Sequence, residues 1–352
     1  MGGKMSELYL LAADHLPPLL RRLARQRRLI APRATPWGDT MFTVIDDPDD
    51  LRLDLHGQPV NSLKDFLFPQ REHLFDYRVD KKGNYSFTPV AAETEPTLFF
   101  AVRPCDLNAV LYLDVVFLPG RREPRYRQRR DNSLLIGLNC NQPFADCFCL
   151  ATGSGPFQEE GADLQLTDLG EDFLVEVGRA RGAEVIAAYP HFFRPAGEEQ
   201  RQRRFQLFLE ARSGFARQVH VEQAVKRLAE DRVPPGVWEE LAGRCQDCNG
   251  CAFLCPTCSC FTVVDQPQSA SRGRRLRHWD ACTAQGFTAM AGGHNPVAPQ
   301  RDKLRQRFMH KLAHDVRRHG RPSCVGCGRC VGACFGGADM LHFINLVGGT
   351  GK

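Results

Sequence analysis

Eleven of the chain's 15 cysteines fall between Cys245 and Cys334, and eight of those form two runs of identical spacing. The first is Cys245-x2-Cys248-x2-Cys251-x3-Cys255-Pro256, and the second is Cys324-x2-Cys327-x2-Cys330-x3-Cys334. Closely spaced thiolates on a tightly wound loop reach three irons of one cubane. The fourth points away along a departing helix and serves a neighbouring cluster, so this is the ligand run of paired [4Fe-4S] sites. On that crossed pattern Cys245, Cys248, Cys251 and Cys334 hold one cluster, and Cys324, Cys327, Cys330 and Cys255 hold the other. Two adjacent clusters are one-electron carriers, so the predicted chemistry is electron transfer. Zinc is the competing metal. A zinc ribbon takes two thiolates from each of two knuckles and has no use for the third and fourth cysteine repeated in both runs.

Four further thiols must be brought together by folding. Thr97-Leu98-Phe99-Phe100-Ala101-Val102 reads as a buried strand bounded by Arg103-Pro104. A helix follows, with Asp106 placed to cap it and Leu107, Val110, Leu111 and Val115 facing inward. After the charged loop from Arg121 to Asp131, Leu134-Leu135-Ile136-Gly137-Leu138 reads as a second buried strand. A strand-helix-strand crossover makes the two strands parallel and puts their carboxyl ends on one edge, where open α/β folds place ligands. Cys105 and Cys140 fall at that edge, and Cys147 and Cys149 follow in the next loop. Two readings stand: a third metal site, or ordinary buried thiols.

Cys258, Cys260 and Cys282 lie in the 68 residues that separate Cys255 from Cys324. They either bind another cluster with an outside ligand or tune and pack beside the predicted pair, and the packing and tuning reading is preferred. His294 follows Gly292-Gly293 and is expected to be a hydrogen-bonded structural histidine.

A chain of 352 residues implies two or three domains. The expected division is 1–195 as an α/β domain, 196–236 as a helical connector ending near Pro234-Pro235-Gly236, and 237–352 as the cluster domain. From Ser6 to Arg28 leucines recur at helical spacing, with Pro17 and Pro18 splitting the run into two helices. Met41 to Ile45 and Leu51-Leu53-Leu55 read as strands of a small sheet, Leu164 to Gly178 as a hairpin, and Glu198 to His220 as helix.

Apolar residues at 43% and charged residues at 25% are ordinary globular values that exclude disorder and a coiled coil. No window approaches 18 apolar residues, and the run Leu8 to Ala13 stops at Asp14, which predicts a cytoplasmic protein without membrane insertion. In that compartment so many thiols are not kept as disulfides. Met1-Gly2-Gly3-Lys4-Met5-Ser6 fits a myristoylation pattern only formally. Two clusters of about −2 each take the net charge of +5 to about +1, so nucleic acid is not an expected partner. Arginines 21, 22, 25, 27 and 28 read as a solvated helix face, with nucleic acid or anionic lipid as the alternative, and arginines 127, 129, 130, 201, 203 and 204 as solvated side chains, with a docking face for an acidic partner as the alternative. Neither a G-x-G-x-x-G after a strand nor a Walker-type loop is present.

Several strings recur together in one family: Cys255-Pro-Thr-Cys-Ser-Cys260, Trp279-Asp-Ala-Cys282, Ala291-Gly-Gly-His-Asn295 and Cys324-Val-Gly-Cys-Gly-Arg-Cys330. Upstream, Phe66-Leu-Phe-Pro69, Glu72-His-Leu-Phe75, Arg103-Pro-Cys-Asp106, Cys140 and Cys147-Phe-Cys149 follow in order. On these residues the chain resembles the beta subunits of soluble [NiFe] hydrogenases (sulfhydrogenases) and the A subunit of anaerobic sulfite reductase, which share a 4Fe-4S dicluster domain.

The resemblance implies an α/β amino-terminal domain and a carboxy-terminal bacterial dicluster-ferredoxin-like domain with a long insert. It also implies a relay subunit of a hetero-oligomer, exchanging electrons with a flavin-bearing, NAD(P)-binding partner while a separate catalytic subunit performs substrate chemistry. Alternatives are a relay that feeds a heterodisulfide reductase, a self-sufficient reductase with substrate at the Cys105/Cys140 crevice and, in another class, a zinc-binding interaction module. One departure stands out, because Cys334 is followed by Phe335-Gly336-Gly337 where the family usually has proline.

Overall fold

The computed structural model describes residues 8–92, 94–120 and 123–349, so the Met1 to Ser6 pattern and the start of the charged loop at Arg121 lie outside the described residues. Twelve strands are formed among them: β1 (Leu8–Ala12), β2 (Arg28–Ala34), β3 (Thr40–Val44), β4 (Arg71–Val79), β5 (Tyr85–Pro89), β6 (Thr97–Val102), β7 (Ser133–Leu138), β8 (Leu164–Asp168), β9 (Asp172–Val177), β10 (Phe193–Pro195), β11 (Phe261–Ser269) and β12 (Arg272–Trp279). The chain divides into two compact units, neither continuous in sequence. The first takes Met1–Leu63, Thr94–Val219 and Ser323–Arg329, and the second takes Lys64–Glu93, His220–Pro322 and Cys330–Lys352.

The first unit is built on an eight-stranded mixed sheet in the order β10-β1-β9-β8-β7-β6-β2-β3. The pairs β2·β6, β6·β7 and β7·β8 are parallel, and the outer pairs are antiparallel. Leu98 and Phe100 of β6 and Leu134 and Ile136 of β7 share one core with Leu16, Leu19, Leu20 and Leu23 of the helix Leu16–Ala24. As expected, β6, the helix Pro104–Phe117 and β7 form a parallel strand-helix-strand unit. Ala101, at φ 58°, sits at a register shift between Phe100 and Val102. Such a bulge bends the end of a strand, and here it lies two residues before Arg103.

Local expectations fail in instructive places. Leu8-Tyr9-Leu10-Leu11 is a strand between β9 and β10 rather than helix, because a short buried apolar run satisfies either period. Pro17 and Pro18 do not split the following helix; they stand in its first turn, where the missing N–H groups cost nothing. β3 joins the large sheet through β2, whereas Leu53 makes only an isolated bridge with Arg33. Val115 is exposed. The helix Glu198–Ser213 lies in the first unit.

The second unit combines a four-stranded antiparallel sheet, β11-β12-β4-β5, with the helices Val221–Ala229, Pro235–Arg244, Gln300–Met309 and Met340–Gly348. The helices bury Leu228, Leu241, Leu304 and Ile344. Phe308 stacks on Phe343 at 4.3 Å between ring centres, and Trp238 on Phe343 at 5.1 Å. Among the described residues no helix is long and apolar enough to cross a membrane.

Candidate metal centres

In the second unit, Cys245, Cys248 and Cys251 of the first run line one pocket with Cys334, the last cysteine of the second run. The loop that carries the first three is wound by Asp247 at φ 53° and Asn249 at φ 60°, a left-handed conformation in which Asn and Asp are enriched. Asn249 begins the short helix Gly250–Phe253 and accepts at its side-chain oxygen from the Thr283 hydroxyl at 2.7 Å. The buried Lys303 ammonium bonds Asp247 at 3.1 Å and Gln285 at 2.8 Å, fixing the loop from below.

The residues present fit a bound anionic cluster. Gln300 donates from Nε2 to Cys245 Sγ at 3.1 Å, and Arg307 reaches the Cys251 carbonyl at 2.7 Å from Nη2. Burial pushes the Cys251 thiol up, with Arg307 opposing. For Arg307 the cost of burial is outweighed by the thiols of Cys251, Cys258, Cys255 and Cys330, so its pKa rises. Gly336 explains why glycine follows Phe335, since a Cβ there would collide with the Arg244 carbonyl, one residue before Cys245.

Cys255 is not among the residues that line that pocket. Its thiol is held well below the ordinary range by a hydrogen bond from Cys258, with burial opposing and Lys311 and Arg307 assisting, whereas the Cys258 thiol is pushed up. The second run divides, with Cys324 and Cys327 in the first unit and Cys330 and Cys334 in the second. His294 is exposed, and its carbonyl accepts from the Met290 N–H at 2.9 Å.

In the first unit, Cys105, Cys140, Cys147 and Cys149 line one pocket with Gln58, Pro104, Pro143, Phe144, Pro156 and Phe215. Cys105 sits in the first turn of Pro104–Phe117, directly after β6, and Cys140 follows β7, so the parallel pair brings them to one edge. Cys140 takes its place through an N–H bond to the Pro156 carbonyl at 3.1 Å. Burial pushes the Cys105 and Cys140 thiols up, whereas a hydrogen bond from Cys149 lowers Cys147 against its own burial.

Cys327 packs into the same nest, in contact with Cys105, Cys147 and Cys149 through a shared apolar cluster. Its loop approaches backbone to backbone, and the Phe148 N–H donates to Gly326 O at 2.7 Å. A Cβ on Gly326, which has φ 58°, would lie 2.7 Å from Cys149 N.

Asp106 is not the helix cap. The N-cap is Arg103, and the Asp106 carboxylate, 1% exposed, receives both Nη1 and Nη2 of Arg329 at 2.8 Å. Arg329 also donates from Nε to Pro59 O at 2.9 Å. Burial opposes its charge, but Asp106 and Cys327 outweigh that, and its pKa rises. The sequence offered one signal for this contact, an arginine set between two cysteines of the second run.

Among the described residues no three His, Cys, Asp or Glu side chains stand where a single ion would take them all. Residues 244–338 match the 4Fe-4S dicluster domain family. Over 324 residues the chain is 29% identical to sulfhydrogenase 2 subunit beta of Pyrococcus furiosus, spanning 92% of this chain and 93% of that protein. The likeness therefore runs through both units, and it joins the paired cysteine runs to a hydrogenase subunit. The protein is an iron-sulfur electron-transfer subunit that carries a 4Fe-4S dicluster domain over residues 244–338 and is similar along most of its length to a sulfhydrogenase beta subunit.

Proposed function

We propose that this cytoplasmic chain relays electrons between a flavin-bearing, NAD(P)-binding subunit and a separate catalytic subunit of hydrogenase or sulfite reductase type. In this reading Cys245, Cys248, Cys251 and Cys334 hold one [4Fe-4S] cluster, Cys324, Cys327, Cys330 and Cys255 hold the second, and Cys105, Cys140, Cys147 and Cys149 hold a third. The observation that carries it is the pocket in which Cys334 meets the first three cysteines of the other run. Zinc knuckles contribute thiolates in pairs, so a three-plus-one set favours the crossed cluster pattern. For the third set the support is a shared pocket at the carboxyl edge of parallel strands.

When bound, each cluster stores and releases one electron. The protein's part is to fix ligands and potential. The Gln300 N–H aimed at Cys245 Sγ stabilises the more negative, reduced state, and burial of Cys251 favours the less charged one. Protein purified without oxygen is expected to be brown, with about eight irons, or about twelve with the third set, and reduced-state EPR from interacting spins. A colourless preparation with stoichiometric zinc overturns the reading. The large subunit that copurifies, one with a nickel-iron site or one with sirohaem, identifies the terminal reaction.

A further inference from the structure

Three thiols of the second unit, Cys258, Cys260 and Cys282, have no place in the three sets above. The fold nevertheless gathers them. β11 and β12 pair antiparallel with Phe261 opposite Trp279 at the open end of the hairpin, and the Asp280 N–H extends the ladder to Cys260 O at 3.0 Å. The residues just before β11 and just after β12 therefore lie side by side, which sets Cys260 against Cys282. Cys258 lies two residues before Cys260 in the same segment.

The surroundings are cationic and buried. Arg307, 3% exposed, donates from Nη1 to Cys258 Sγ at 3.3 Å. Lys311, 3% exposed, lies in a π-helical turn, His310–His314, a distortion frequent at functional sites, and donates to the Thr257 hydroxyl at 2.8 Å. Lys64, 2% exposed, donates to Phe253 O at 2.8 Å and stands 3.8 Å from the Trp279 ring centre. Arg307 meets Cys258 directly, and withdrawing it and the two lysines from water is costly unless negative charge sits near them. An iron-sulfur core with its thiolates supplies it, at about −2.

We infer that Cys258, Cys260 and Cys282 are the protein ligands of an additional iron-sulfur cluster held by three cysteines: a [3Fe-4S] cluster, or a cubane with one iron open to a small exchangeable ligand. Lys64, Arg307 and Lys311 are its counter-charges. This goes beyond the relay reading, which uses none of the three thiols, and it replaces the expectation that they only pack and tune.

The test is iron, acid-labile sulfide and EPR on the oxygen-free full-length protein and its Cys282→Ser and Cys258→Ser variants. Each variant is expected to lose about three to four irons per chain while keeping the interacting-spin signal of the dicluster pair. The wild type, oxidised, is expected to show the signal of a three-cysteine cluster, or to gain it on mild oxidation; this measurement needs no variant to fold. Unchanged iron in both variants, free thiols or a Cys260–Cys282 disulfide in the wild type, or loss of all iron together with the interacting spins overturns the inference. A brown wild type with unchanged variants removes only this cluster; a pale wild type removes the dicluster reading itself.

Discussion

The Asp106–Arg329 pair offers the sharpest energetic test, because each charge is 1–2% exposed and the two meet through paired contacts of 2.8 Å. Replacing Asp106 with leucine strands a buried guanidinium, at a cost of about 3–5 kcal/mol, and replacing Arg329 with methionine strands the carboxylate at a similar cost. In a unit of about two hundred residues, where each kcal/mol moves the midpoint by about 2–4 °C, either change lowers it by roughly 10 °C. Replacing both should restore most of the loss, since an apolar pair of similar volume is close to neutral in such a site. What the double variant still lacks is the Arg329 Nε bond to Pro59 O, about 1 kcal/mol. Oxygen-free denaturant melts of the four proteins therefore yield a coupling of about 5–9 kcal/mol, the two single losses less the roughly 1 kcal/mol that the double variant still lacks. Single variants that each cost under about 1 kcal/mol, or a double variant that loses the sum of both, would refute the argument that the ion pair is desolvated and mutually dependent.

Gln300→Leu removes the N–H from Cys245 Sγ and should lower the potential of the cluster in that pocket by about 40 mV, taking about 1 kcal/mol for the bond; redox titration followed by EPR reads the shift. Gly336→Ala should lose iron and cost about 1–3 kcal/mol, because the new methyl meets the Arg244 carbonyl. Gly243→Ala, in a helix with open space around it, should gain roughly 0.5–1 kcal/mol and keep full iron, so a loss in both variants would argue against a specific clash. Cys140→Ser should remove about four irons and leave the interacting-spin signal intact, and unchanged iron would return Cys105, Cys140, Cys147 and Cys149 to ordinary buried thiols.

What could be read from sequence was what local spacing determines. The period of the cysteine runs places Cys334 with Cys245, Cys248 and Cys251, and the apolar blocks at Thr97 and Leu134 announce a parallel pair that brings Cys105 and Cys140 to one edge. Hidden features depend on partners far along the chain. β4 pairs with β12, so Glu72 lies beside Arg277, 205 positions away, and no local pattern in Lys64–Glu93 marks its membership of the second unit. Asp106 sits where a helix cap would sit, and only the fold reveals a guanidinium 223 positions away that makes it half of an ion pair.

Charge shows the same limit from the other side. Lys64, Lys303, Arg307 and Lys311 belong to residue types that normally face water, and in sequence they are indistinguishable from the arginines of a solvated helix. All four are nonetheless at most 3% exposed in the unit that carries the first cysteine run. A domain of this kind cannot be understood as an apolar core with metal ligands added. The cations cost free energy wherever they are buried without anions, so they should be better tolerated with clusters in place than in the metal-free chain. Stability of the second unit should then depend on iron and sulfide more steeply than its apolar packing alone would suggest, and the buried lysines and arginine explain why.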